Sequence, residues 1–148
     1  MHIDKAGSAD IPALSALLSI LFAQEEEFTP YLEAQAQGLA QIVDNPEVGA
    51  VLVAREGDQV LGMVSLLFTV STALGGRVVW LEDMVVSAKA RDAGLGSRLL
   101  AQAISLARAQ GCKRITLLTD RANEAAQRFY RQQGFVTSSM VPMRLVLA

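Results

Sequence analysis

Apolar and polar residues alternate along this chain with two different periods. Apolar residues recur at helical spacing from Leu14 to Phe22, after a short stretch HIDKA, and again from Leu32 to Val43. These patterns predict one short strand followed by two helices. Two β-rich runs, VGAVLVARE and QVLGMVSLLFTVS, flank Gly57-Asp58, and a third run reads RVVWLEDMVVS. We therefore expect a hairpin and three neighbouring antiparallel strands, with the last one central because it is almost continuously apolar.

The second half of the chain predicts a crossover between two parallel strands. Apolar residues from Leu95 to Ala107 share one helical face, and Gly111 is placed to end that helix. The run KRITLLT is typical of a buried strand, NEAAQRFYRQQ of a short helix ended by Gly134, and FVTSSMVPMRLVLA of one or two closing strands. Because such crossovers are right-handed, residues 114–119 should run parallel to residues 80–87.

Composition narrows the classes of partner and cofactor. The 148 residues suit a single domain, and 13 basic against 15 acidic side chains give no positive field that would gather nucleic acid. One cysteine and one histidine provide neither a disulfide nor a zinc cluster, so we expect no metal and a cytoplasmic location. No segment has the ~20 uninterrupted apolar residues of a membrane span, so we expect a soluble protein that does not use a membrane.

The junction ARDAGLGS, at the start of the predicted third helix, has the properties of a phosphate cradle. A helix N-terminus exposes unpaired N–H groups and about half a positive charge, and glycine lets a ligand approach the backbone. A Walker loop is excluded because no lysine follows Gly94 or Gly96, and the dinucleotide fingerprint is excluded because Leu99 stands where its third glycine belongs. A plain strand-to-helix turn remains the alternative.

Two motifs together resemble the GCN5-related N-acetyltransferase (GNAT) family. Arg91-x-x-Gly94-x-Gly96 follows the strand end Met84-Val85-Val86, and NEAAQRFYRQQGF lies downstream of it by a helix and a strand. The resemblance implies an α/β (α+β) GNAT fold over residues 1–148. That fold has a mixed, mostly antiparallel twisted sheet of six to seven strands, with a central splayed parallel pair and about four flanking helices.

The resemblance also implies an acyl-coenzyme A site. Main-chain groups of the strand end would bind the pantetheine arm, and amides of the glycine turn would bind the pyrophosphate. Asp92 departs from the family, whose members often carry glycine or a basic residue there. Asn123 would contact the pantetheine arm, although a simple helix N-cap explains it equally well. The full set implied for the donor is Met84, Val85, Val86, Arg91, Asp92, Ala93, Gly94, Leu95, Gly96, Ser97, Asn123, Ala126 and Tyr130.

Acyl transfer to an amine requires a base, an oxyanion donor and an acid for the departing thiolate. By resemblance, Tyr130 protonates the sulfur, and the main-chain N–H of Val85 or Val86 serves the oxyanion. Strand alternation places Glu82 on the face opposite Asp83, and we prefer Glu82 as the base, acting directly or through a water. The acceptor would contact Glu26, Phe28, Tyr31 and Glu82, although the acidic cluster at residues 25–27 also suits a solvated helix end.

The predicted function is direct transfer of an acetyl group from acetyl-coenzyme A to a primary amine of a small molecule or peptide. The alternative is a non-catalytic acyl-coenzyme A-binding regulatory module, which would keep the cradle and dispense with Tyr130 and Glu82. The apolar end MVPMRLVLA suggests a homodimer formed through the closing strands.

Overall fold

The protein, described here by a computed structural model for residues 1–25, 28–91 and 93–148, divides into two units, residues 1–118 and 119–148. The single domain expected over the whole chain stays a prediction. The first unit contains strands β1 (His2–Lys5), β2 (Gly49–Glu56), β3 (Gln59–Ser71), β4 (Gly76–Val86) and β5 (Ile115–Leu117), with helices α1 (Ile11–Gln24), α2 (Leu32–Val43) and α3 (Leu95–Ala109). The second unit contains helix α4 (Glu124–Gln132).

The five strands form one sheet in the order β1-β2-β3-β4-β5. Neighbours are antiparallel except β4 and β5, which are parallel and joined by α3. The hairpin between β2 and β3 turns at Gly57, whose φ of 59° lies in the left-handed region that glycine adopts without strain. The sequence expectations of a hairpin, three antiparallel strands and a parallel crossover are therefore confirmed.

The two faces of the sheet are covered by different helices. On one face, helices α1 and α2 form a hydrophobic core with the sheet. Its buried residues are Leu14, Leu17 and Leu18 of α1, Leu39 of α2, and Val51, Val53, Met63 and Val85 of the strands. On the other face, α3 lies so close to β3 that a Cβ on Gly62 would meet Leu99 Cδ1 at 2.9 Å. Glycine at that position permits the close packing of helix on sheet.

A β-bulge interrupts β4 near its carboxyl end. Leu81 pairs with Leu66 and Asp83 pairs with Ser65, so two positions on β4 are separated by one extra residue, Glu82. The bulge reverses the alternation of side chains along the strand. As a result, Asp83 shares the face of Val85 and Met63, whereas Glu82 is exposed.

The expected six to seven strands are not observed, because the sheet has five. Residues 135–148 belong to no helix or strand of the described chain, and their apolar side chains, such as Met143 and Leu147, are exposed. A strand is defined by hydrogen bonds to a neighbour, and Pro142 has no N–H to contribute. The apolar pattern of this segment is typical of a strand, but the segment pairs with no strand of the described chain.

Candidate functional site

The carboxyl end of β4 has an open edge. Its pairing with β5 covers Val79, Trp80 and Leu81 and stops there, and residues 83–86 pair with β3 and with no other strand of the described chain. Ser87 donates its N–H to the Leu61 carbonyl at 2.8 Å. Since hydrogen-bonded positions alternate along an antiparallel pair, the main chain of Val85 faces β3. The N–H and C=O groups of Met84 and Val86 face the open edge, so Val86 is the better placed of the two expected oxyanion donors.

The glycine turn lies directly before α3. Gly94 caps the helix with φ 75° and ψ 10°, and a Cβ added there would have no atom of the described residues within 4 Å. The N–H of Arg98 bonds the Gly94 carbonyl at 3.2 Å, which begins the intrahelical ladder. The N–H groups of Leu95 and Gly96 lie before that bond, in the first turn, where a helix has no intrahelical acceptors. The turn therefore exposes backbone donors beside open space.

The residues around the turn fit an anionic phosphate group. A cavity of about 380 Å³ beside it is lined by the two cations Lys89 and Arg98 and by one acid, Glu56, and it also contacts Ala93 and Leu95. Arg91 is exposed in the turn itself, and Ser97 lies in the first turn of α3. Asp92 lies outside the described residues. The helix N-terminus and these cations supply the positive potential that a pyrophosphate requires.

Asp83 and Ser65 form a polar pair across β3 and β4. Ser65 is fully buried, and its hydroxyl donates to Asp83 Oδ2 at 3.0 Å while accepting the Asp83 N–H at 3.1 Å. Burial raises the pKa of Asp83 to about 6, the bond from Ser65 opposes the rise, and the charge of Glu82 adds to it. Asp83 thus changes charge close to neutral pH, which is the range useful for proton transfer.

Three of the residues expected to contact the acceptor are described, and Phe28, Tyr31 and Glu82 are all exposed. The ring of Phe28 lies 5.5 Å from that of Phe22 at the end of α1. The Tyr31 hydroxyl donates to Glu33 at 3.1 Å, at the start of α2. Glu26 lies outside the described residues, so its expected role stays a prediction.

Gln35 holds the start of α2 against α1. Its buried amide donates to the Ser15 carbonyl at 2.9 Å and to Ser19 Oγ at 3.0 Å, and its Oε1 accepts the Tyr31 N–H at 2.6 Å. A buried amide with its hydrogen bonds satisfied fixes one arrangement of the groups it joins. Gln35 therefore fixes the backbone at Tyr31 relative to α1.

In the second unit, Asn123 precedes α4 as its N-cap, and Tyr130 lies within the helix. Asn123 Oδ1 accepts the Ala126 N–H at 3.0 Å, which is the N-cap role that the sequence left open. Tyr130 lies between the rings of Phe129 and Phe135, at centroid distances of 5.3 and 5.7 Å. Burial raises the pKa of Tyr130 to about 12, so its hydroxyl holds a proton throughout the neutral range.

Comparison with known proteins places this geometry in a family. The profile of the acetyltransferase (GNAT) family matches residues 13–135. The chain belongs to the GNAT family. An uncharacterized N-acetyltransferase of Bacillus subtilis, YhfO, is 32% identical over 138 residues, which are 91% of this chain and 89% of that protein.

Two further comparisons concern part of the sequence and the fold. A glucosamine 6-phosphate N-acetyltransferase of Trypanosoma brucei brucei is 33% identical over 78 residues, which are 52% of this chain and 51% of that protein. The crystal structure of an integron cassette protein from a salt-marsh metagenome superposes with a TM-score of 0.85 at 24% identity, covering 99% of this chain and 90% of that one. The likeness to the cassette protein shows a shared fold.

Sequence reasoning on this GNAT chain missed Ser65 and Gln35. Ser65 is a polar residue within an otherwise apolar stretch of β3, and that interruption was the available signal. Gln35 is one of three glutamines in α2 and carried no such signal. No group of three metal-ligating His, Cys, Asp or Glu side chains occurs among residues 1–25, 28–91 and 93–148. Within the same residues, no helix has both the length and the apolar character needed to cross a membrane.

Proposed function

We propose that this GNAT acetyltransferase moves an acetyl group from acetyl-coenzyme A directly to a primary amine of a small molecule or peptide. The observation that carries the proposal is the open edge of β4 at residues 82–86, followed within the same chain segment by the glycine turn at the start of α3. An edge of unpaired backbone groups suits an extended amide-bearing arm, and the helix N-terminus suits its pyrophosphate.

The donor site consists mainly of main-chain groups. Met84 and Val86 provide N–H and C=O groups along the open edge, and the first turn of α3 provides N–H groups at the phosphates. The open space at Gly94 admits the ligand, since a side chain there would fill it. Acetyl-coenzyme A, when bound, supplies an acetyl thioester activated for attack.

The chain's own residues then act on the reacting atoms. The acceptor must present a neutral nitrogen, because an alkylammonium with a pKa near ~10.4 has no lone pair. The Val86 N–H is proposed to stabilise the oxyanion, and the Tyr130 hydroxyl to protonate the sulfur. Glu82, exposed at the bulge, is available to attract a cationic amine to the acceptor side. Phe28 and Tyr31 are proposed to line that side.

The non-catalytic module is not supported, because the relatives are named as N-acetyltransferases and the family is one of acetyltransferases. The name of one relative states glucosamine 6-phosphate, so an amino sugar phosphate belongs among the acceptors to be tried.

Thiol release from acetyl-coenzyme A, measured with polyamines, amino acids, amino sugars including glucosamine 6-phosphate, and peptide N-termini, tests the proposal. We expect at least one amine to accelerate release and to be recovered as its N-acetyl product by mass spectrometry. Tight binding of acetyl-coenzyme A without acetylation of any amine would refute the transfer. Failure to bind acetyl-coenzyme A at all would refute the donor site.

A further inference from the structure

The Ser65–Asp83 pair is a built polar site within an apolar surface. The flanking pair on the same face, Met63 and Val85, belongs to the hydrophobic core beneath α1 and α2. Ser65 has no solvent exposure, and both of its recorded hydrogen bonds go to Asp83. A carboxyl group is costly in such surroundings unless it is used. Its retention there calls for a chemical explanation.

From this geometry we infer that Asp83 accepts the proton of the attacking amine and that Ser65 is the residue that positions it. The inference rests on the proposed acetyl transfer and assigns the proton acceptor to Asp83 instead of Glu82. Ser65 holds Oδ2, whereas Oδ1 has no hydrogen-bond partner in the described part of the chain. One carboxylate oxygen is therefore fixed, and we assign the incoming N–H to the other, Oδ1.

The bulge places this carboxylate next to the open edge. Asp83 is the residue before Met84, whose main chain faces that edge, while its side chain points to the α1 and α2 face. If residues 81–83 continued a regular strand with no bulge at Glu82, Asp83 would lie on the same face as Leu81, towards α3. The bulge thus places the Asp83 carboxylate, proposed to face the acceptor, next to the backbone edge proposed to bind the donor.

Few charges face Asp83 from the elements packed against it. Helix α1 and strands β3 and β5 have no ionisable side chain, α2 contributes the exposed Glu33, and β4 contributes Glu82 and the distant Arg77. No cation of the described residues pairs with Asp83, so burial dominates and raises its pKa. At neutral pH the group is mostly ionised and more basic than an ordinary aspartate, which favours general-base catalysis.

The step balances with these residues. As the amine nitrogen bonds the acetyl carbon, one N–H proton passes to Asp83 Oδ1. The C–S bond breaks with its electron pair on sulfur, which takes a proton from the Tyr130 hydroxyl of the proposed function. Return of the proton from Asp83 to the tyrosinate, through solvent, restores both groups. The products are the N-acetyl amine and the free thiol.

Two readouts test the inference: carboxyl ¹³C NMR titration of Asp83 in the protein without donor, and the pH dependence of kcat/KM for the amine. We expect wild-type Asp83 to titrate near pH 6 and the acid limb of kcat/KM to follow it. Ser65→Ala should move both midpoints to higher pH, because the bond that opposes the rise is lost. Ser65→Thr, which keeps the hydroxyl, should restore both, and Asp83→Asn should lower kcat/KM by about 100-fold or more.

Ser15→Ala is the matched control, since it removes a buried hydroxyl that bonds Gln35 and not Asp83. Its Asp83 midpoint should equal that of the wild type. If Ser65→Ala does not fold, Ser65→Cys keeps the volume with a weaker donor and should give a smaller shift in the same direction.

The remaining outcomes overturn the inference. An Asp83 midpoint near that of an ordinary aspartate, or one that Ser65→Ala leaves in place, refutes the positioning role whatever the activity. Transfer that keeps its acid limb in Asp83→Asn and loses it in Glu82→Gln assigns the base to Glu82, with the proposed function intact. Absence of transfer to every amine refutes the proposed function and the base together.

Discussion

Asp10 and Asp83 both accept hydrogen bonds from side chains, yet the pKa of Asp10 is lowered and the pKa of Asp83 is raised. Asp10 receives Arg55 Nη1 at 2.8 Å and Nη2 at 3.1 Å, and the bond from Arg55 lowers its pKa. Asp83 receives only a neutral hydroxyl, and burial raises its pKa to about 6. The cation makes the difference, because it stabilises the charged form where burial alone disfavours it.

The contrast separates a residue that holds the fold from one suited to chemistry. Arg55 also bonds Asp4 of β1 at 3.2 Å, so Asp10 belongs to a network that ties the entry to α1 to strands β1 and β2. Asp83 has no such network and destabilises the fold in its ionised form. Sites that cost stability in this way are typical of functional positions.

The contrast between Asp10 and Asp83 would fail if Tyr130, rather than Asp83, controlled the acid limb of the pH dependence of kcat/KM. Tyr130→Phe should lower kcat by about 100-fold, as expected for loss of a general acid, and leave the acid limb in place. Because the pKa of Tyr130 is about 12, the wild-type rate should not fall through tyrosine ionisation at pH 9. Phe129→Leu, which changes packing beside the same ring, serves as the control for structural loss. A missing acid limb in Tyr130→Phe would contradict the assignment.

The structural half of the comparison is tested by Asp10→Asn. Its loss of charged hydrogen bonds should cost about 2 kcal/mol of unfolding free energy at pH 7 and leave acetyl transfer unchanged. The folded pKa of Asp10 lies below the ordinary 3.8, so its stabilisation is complete above that pH and is lost as pH falls through the folded pKa. Urea unfolding at pH 7 and in strong acid should therefore show the two proteins converging in acid. A constant gap would contradict the charge origin.

Two glycines distinguish backbone strain from a role in binding the donor. The change in stability expected for their variants is the smallest of these predictions. Gly94 and Gly111, at opposite ends of α3, have φ values of 75° and 76°. Alanine at either should cost about 1 kcal/mol through the left-handed backbone. Gly94→Ala alone should also weaken acetyl-coenzyme A binding about tenfold, measured by calorimetry, because its Cβ enters the open space of the turn. Equal affinities in the two variants would remove the turn from the donor site.

Local patterns predicted much of this fold from sequence. The apolar periods gave α2 over Leu32–Val43 and β3 over Gln59–Ser71 with the observed bounds. Gly57, Gly94 and Gly134 were predicted to lie in turns between elements, and all three have positive φ. These features depend on a few neighbouring residues, so the sequence around each of them contains the information.

The strand pairings were predicted, but register irregularities and side-chain contacts between the paired strands were not. The bulge at Glu82 results from the register between β3 and β4, so simple alternation along one strand could not predict it. Ser65 lies in a strand of apolar residues, and its role becomes visible only across the strand pair. The apolar pattern of residues 135–148 likewise predicted strands that the described structure does not form.

Asp83→Asn tests the central contrast most directly when stability and activity are measured on the same preparation. Because the pKa of Asp83 rises from 3.8 to about 6 on folding, the wild type loses stability as pH increases across that window. The variant should therefore be more stable than the wild type at pH 7, by up to about 3 kcal/mol, and equally stable below pH 4. Its acetyl transfer should be nearly abolished. A variant that is less stable at pH 7 and still transfers acetyl at the wild-type rate would contradict the account.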